Sequence, residues 1–185
     1  PSRQTSRVRG IVAGGEQVSS AGPGDSIIIS LEHEIDVSRG DMIVHPHNPP
    51  QFDNKLESTL CWLSTEPLDP QRGYLLQHTT RQVSATISQV RHRIDVDTLE
   101  QVAADTLGLN EIGHVQLHTT QPLFFDDYAA NRVTGSFILI DAYSHNTVAA
   151  GMIRGRGGAG GSAAPATGRQ VQPLVRPRST NVVWQ

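Results

Sequence analysis

The sequence predicts an all-β protein built around an antiparallel β-barrel. Three observations point there. Apolar side chains recur mainly with period two, the spacing of a strand that buries one face. The apolar runs are short, lie about 8–15 residues apart, and are punctuated by Gly, Pro and Asp. Only one segment has a helical composition.

Residues 5–12 alternate, with Val8 facing one way and Arg7 and Arg9 the other. Residues 26–31 (SIIISL) form a β-branched run behind the turn Gly22-Pro23-Gly24-Asp25. Residues 42–44 follow a second turn, Ser38-Arg39-Gly40-Asp41. Residues 1–46 therefore read as three strands, too few to close a barrel. The segment from His45 to Gln51 holds Pro46, Pro49 and Pro50, which neither a ladder nor a helix interior accepts. Residues 47–51 are read as a linker.

A second series of strands follows. Residues 55–64 place Leu56, Leu60 and Trp62 toward a core, and residues 74–77 and 81–93 are strands. Residues 98–107 (TLEQVAADTL) have helical composition, with Asp97 or Thr98 as N-cap, and predict two or three turns. Residues 113–119 alternate, with Val115 and Leu117 opposite His114, Gln116 and His118. Residues 134–141 (TGSFILID) read as a central strand carrying Phe137, and residues 147–153 close the series. Residues 52–153 thus make a complete barrel.

From Arg154 the composition changes to Gly, Ala, Pro and Arg, and residues 154–180 read as a disordered linker. Residues 181–185 turn apolar again and read as the start of a further domain. The opening Pro1-Ser2-Arg3-Gln4 reads as the interior of a longer chain.

Composition narrows the function classes. The chain has 185 residues, a formal net charge of −3 and 37% hydrophobic residues. So small a net charge gives no bulk attraction to nucleic acid or membrane, and neither is expected as a partner. No apolar run reaches the ~18 residues of a membrane helix. One cysteine, Cys61, excludes an internal disulfide and a Cys-based zinc site, and fits a reducing cytoplasm.

Candidate chemistry is sparse. Of eight histidines, His45 and His47 are split by Pro46. His114 and His118 share a strand face but sit ~13 Å apart at ~3.3 Å rise per residue, too far for one ion. Asp126-Asp127 is a carboxylate pair beside Leu123, Phe124, Phe125 and Tyr128, which reads as an aromatic-anchored loop. The glycine-rich residues 155–161 (GRGGAGG) lack the lysine and following helix of a phosphate-binding loop. Arg154, Arg156, Arg169, Arg176 and Arg178 are widely spaced with no interleaved aromatics, as in solvated linker charge. No catalytic, cofactor-binding or metal residue is assigned. On residues alone, the chain reads as a barrel-type interaction module.

Four ordered stretches carry a family resemblance. Residues 31–41 (LEHEIDVSRGD), 91–98 (RHRIDVDT), 107–113 (LGLNEIG) and 134–153 (TGSFILIDAYSHNTVAAGMI) resemble the GTPase subunit of bacterial sulfate adenylyltransferase, the CysN/NodQ type. The first stretch is similar to the end of that family's second domain. The resemblance implies elongation-factor-Tu-like antiparallel barrels, the C-terminal half of domain 2 and all of domain 3. It also implies a smaller catalytic subunit as partner. In such complexes, adenosine 5′-phosphosulfate and pyrophosphate are made from ATP and sulfate, driven by GTP hydrolysis. GTP and magnesium belong there to a separate G domain, a further partner of these barrels, whose motifs do not occur here. Thr180-Asn181-Val182-Val183-Trp184 is similar to the entry of the adenylylsulfate kinase domain of bifunctional members. The alternative is a standalone interaction module without enzyme activity.

Overall fold

The computed structural model describes residues 5–157 and, for backbone pairing only, residues 181–184. These residues form two units. One runs up to Pro50 and takes in residues 181–184; the other starts at Gln51. Most of the stretch read as a linker, residues 158–180, lies outside the described residues.

The first unit is an open sheet. β1 (Thr5–Ala13) is its centre. β2 (Glu16–Val18) returns along one edge, with Ala13 paired to Glu16 across Gly14-Gly15. Both glycines have positive φ, +59° and +88°, as the tight two-residue hairpin turn requires. β3 (Ile27–Leu31) pairs with the other edge of β1. β4 (Ile43–Val44) joins through β12 (Asn181–Trp184), which pairs with both β1 and β4. Residues 181–184 thereby bridge β1 and β4 within this sheet. The core is small, with Val8 and Ile11 buried among half-exposed Val18, Ile27, Ile29, Leu31 and Ile43.

The second unit is a closed antiparallel barrel. Its strands are β5 (Gln51–Trp62), β6 (Gly73–His78), β7 (Arg81–Ile94), β9 (Ile112–Phe125), β10 (Ser136–Asp141) and β11 (Thr147–Arg156). The order β6-β10-β11-β5-β9-β7 closes on itself because β6 also pairs with β7. Closure leaves no free ladder edge. β8 (Gln101–Val102) is a two-residue addition to the end of β7.

Alternation fills the interior. On β9, Gly113, Val115, Leu117 and Thr119 are buried while His114, Gln116 and His118 face out. On β10, Phe137, Leu139 and Asp141 are buried between half-exposed neighbours. Leu56, Leu60, Trp62, Leu76, Ile87, Leu107, Phe125 and Ile153 complete a continuous core. Trp62 packs edge-on to Tyr74 at 5.9 Å and donates its indole N–H to the Glu66 carbonyl at 2.7 Å. The only polar atom of that ring is thereby satisfied.

The helix expected over residues 98–107 does not form. Instead Asp95 accepts the amides of Asp97 and Thr98 and holds one turn, closed by Leu99 N–H to the Asp95 carbonyl at 2.8 Å. Leu99 then takes φ +61°, which ends any helix, and the Asp95 amide donates to the Glu100 carbonyl. The composition suits a helix, but the segment has no apolar face to bury. Leu99 is 77% exposed, and only Leu107 reaches the core. Two strands also run past their expected ends. β5 opens at Gln51, and β11 continues to Arg156.

Candidate interaction surface

The histidine pairs do not converge on an ion. His45 and His47 stand 5.4 Å apart in an exposed loop, where His45 Nδ1 accepts the His47 amide. His118 lies against the Asn54 side chain at 3.2 Å. Among the described residues, no three metal-ligating side chains come together.

The Asp126-Asp127 pair holds a loop. Asp126 Oδ2 accepts the Thr134 hydroxyl at 2.8 Å, and Asp127 Oδ1 accepts the Gln51 side-chain amide at 2.8 Å. The loop folds so tightly that a Cβ on Gly135 would overlap the Tyr128 backbone. Beneath it, buried His78 donates from Nε2 to the Thr134 carbonyl at 2.7 Å. Burial pushes His78 below its ordinary value; the Thr134 carbonyl and Asp126 pull the other way. Both carboxylates and the imidazole therefore have structural partners.

Asp141 organises a second corner. Its Oδ1 accepts the amides of Tyr143 and Ser144 and the Ser144 hydroxyl; its Oδ2 meets Arg72 Nε at 2.7 Å. The Ser144 backbone amide leads in holding this carboxylate below the usual range, with Arg72 adding a smaller push. Arg72 also lies 5.4 Å from the centre of the exposed Tyr143 ring.

An arrangement that sequence reasoning missed spans three strands on the barrel exterior. Arg91 on β7 donates to both oxygens of Glu57 on β5, at 2.6 and 3.2 Å. Gln116 on β9 reaches the same carboxylate at 3.4 Å. His114 Nε2 stands 3.5 Å from Glu57, and His92 packs edge-on to the His114 ring at 5.3 Å. Burial pushes His114 down, outweighing Glu57, and the charges of Arg154, His92 and Arg91 push the same way. Glu57 lies 34 to 59 positions from Arg91, His114 and Gln116 in sequence, so no local spacing marks the group. The available signal was weaker: polar side chains at the outward positions of β5, β7 and β9.

Guanine nucleotide and magnesium do not fit the residues present. The sequence has no G-x-x-x-x-G-K-[ST] run, and its single lysine, Lys55, lies on a barrel strand. The described residues contain no helix whose N-terminus could receive a phosphate. No step is therefore assigned to a nucleotide on these residues.

Residues 55–154, most of the barrel, match the model of the GTP-eEF1A C-terminal domain-like family. The chain belongs to that family. Relatives carry the likeness across both units. The bifunctional enzyme NodQ of Azospirillum brasilense is 44% identical over 154 residues, covering 83% of this chain and 25% of that protein. Sulfate adenylyltransferase subunit 1 of Shewanella woodyi is 42% identical over 154 residues, covering 83% of this chain and 33% of the relative. The bifunctional enzyme CysN/CysC of Mycobacterium tuberculosis is 43% identical over 155 residues, covering 83% and 25%. The chain thus spans a quarter to a third of these curated relatives. Among solved structures, Sup35 complexed with GMPPNP superposes with a TM-score of 0.71 at 19% identity, over 82% of this chain and 37% of that one. That likeness shows the fold. The resemblance read from four sequence stretches and the elongation-factor-like barrel class are both borne out. No described helix is long and apolar enough to cross a membrane.

Proposed function

We infer that the chain is the non-catalytic barrel portion of a sulfate adenylyltransferase GTPase subunit. The observation that carries this reading is identity of 40–44% to such subunits, including bifunctional forms, over at least 83% of the chain. In this reading the intact cytoplasmic complex makes adenosine 5′-phosphosulfate and pyrophosphate from ATP and sulfate. GTP hydrolysis on a separate nucleotide-binding domain, with its magnesium, drives that unfavourable step. The barrel's share is mechanical: it docks the small catalytic subunit and passes on the state of the nucleotide domain through packed surfaces. A closed barrel suits that work. Its ladder is fully paired and its core continuous, so a push on one face moves the whole body. No observation favours the standalone module.

The reading is tested by calorimetric titration of the 185-residue chain with GTP and magnesium. No saturable binding is expected. A micromolar dissociation constant, which needs ~8 kcal/mol from a formed site, would contradict the assignment of nucleotide binding to another domain.

A further inference from the structure

Outward positions of four neighbouring strands form one cationic face on the barrel. β7, β9, β5 and β11 lie side by side in that order. Their registers align His92 with His114, His114 with Thr59, and Thr59 with Met152. One step along, Gln116 aligns with Glu57; a further step aligns His118 with Lys55. Four strands at ~4.8 Å spacing make this face ~15 Å wide.

Its charges do not balance. Glu57 is the one acid among these residues, and Arg91 holds both of its oxygens. Lys55 and Arg154 are exposed, and neither has an ion-pair partner among the described residues. Arg154 is close enough to depress the charging of His114. This excess of positive charge sits on a chain whose formal net charge is −3. Beside the cations, the half-buried side chains of Met152 and Cys61 supply apolar area. A partly apolar patch bordered by uncompensated charge has the make-up of a protein-docking surface. The Glu57–Arg91 pair is internally satisfied, whereas among the described residues no ion pair engages the side chains of Lys55 or Arg154.

We propose that this face docks an acidic protein surface, with Lys55 and Arg154 receiving the partner's carboxylates. Nucleic acid fits less well. None of these outward positions carries Phe, Tyr or Trp on which a base would stack. The proposal rests on the charge pattern and stands whichever protein is the partner.

Poly-L-glutamate is the probe, titrated into the full chain at pH 7.5 and about 0.05 M salt, where screening is modest. The chain is expected to bind it. Lys55→Glu combined with Arg154→Glu should raise the dissociation constant at least ~10-fold, and the Gln pair should give a smaller rise. Arg132→Glu, in the β9–β10 loop, should change it less than ~2-fold. Circular dichroism confirms that each variant is folded. Failure of the parent chain to bind, unchanged affinity in the double variants, or tighter binding of polyuridylate than of polyglutamate would each overturn the proposal.

Discussion

Gly151 on β11 sits directly across from Phe137 on β10, and a Cβ built on it would overlap the Phe137 ring. The ring covers the bare backbone from inside the barrel, where Phe137 is itself buried in the core. Gly151→Ala is therefore expected to lower stability by about 1–3 kcal/mol, the usual cost of overpacking, as a drop in urea midpoint. An unchanged midpoint would show that the ring moves freely. His78 makes a different kind of prediction. Its folded form is the neutral ring, because burial lowers its affinity for a proton below the ordinary 6.5. The unfolded chain then binds the extra proton, so this contribution is full above pH 6.5 and is lost as pH falls through the lower folded value. His114 acts in the same direction. The urea midpoint should therefore fall between pH 7 and pH 5. His78→Gln still offers a donor to Thr134 but cannot titrate, so its fall should be smaller. An equal fall in the variant would place the sensitivity elsewhere.

At the scale of elements, period-two alternation was enough to find every barrel strand, because each buries one face and wets the other. Trp62 and Phe137 were legible as core for that reason, and both are buried. Helical composition misled over residues 98–107, since propensity without an apolar face leaves Leu99 in solvent, where its positive φ ends the single turn that Asp95 holds. Of the Glu57–Arg91–His114 network, only the polar character of its outward strand positions was legible. Its members meet only once β5, β7 and β9 are in register, and local spacing carries no register. Magnitudes separate core from network. Trp62→Ala removes a fully enclosed indole and should cost ~3–5 kcal/mol in equilibrium unfolding. Glu57→Gln releases Arg91, itself well exposed, and should cost less than ~1 kcal/mol. Comparable losses would mean that the exterior network, and not the interior, holds these three strands together.

For the whole molecule, the two units differ in how much they bury. The barrel is closed around one continuous cluster, whereas among the described residues the sheet of the first unit has two buried apolar side chains, Val8 and Ile11, and β3 pairs on one side only. Amide exchange should accordingly be slow across β5, β7 and β9 and faster across β1 and β3. Equal protection would contradict the view that the barrel is the stable body. The family match, residues 55–154, lies within that body, and the inferred function rests on it as a docking element rather than a catalyst. The most direct test is a calorimetric titration of this chain with the small catalytic subunit of a sulfate adenylyltransferase from the same source. Saturable binding at one subunit per chain, with no GTP present, is the predicted result. No binding at micromolar concentrations, with both proteins folded, would contradict the account.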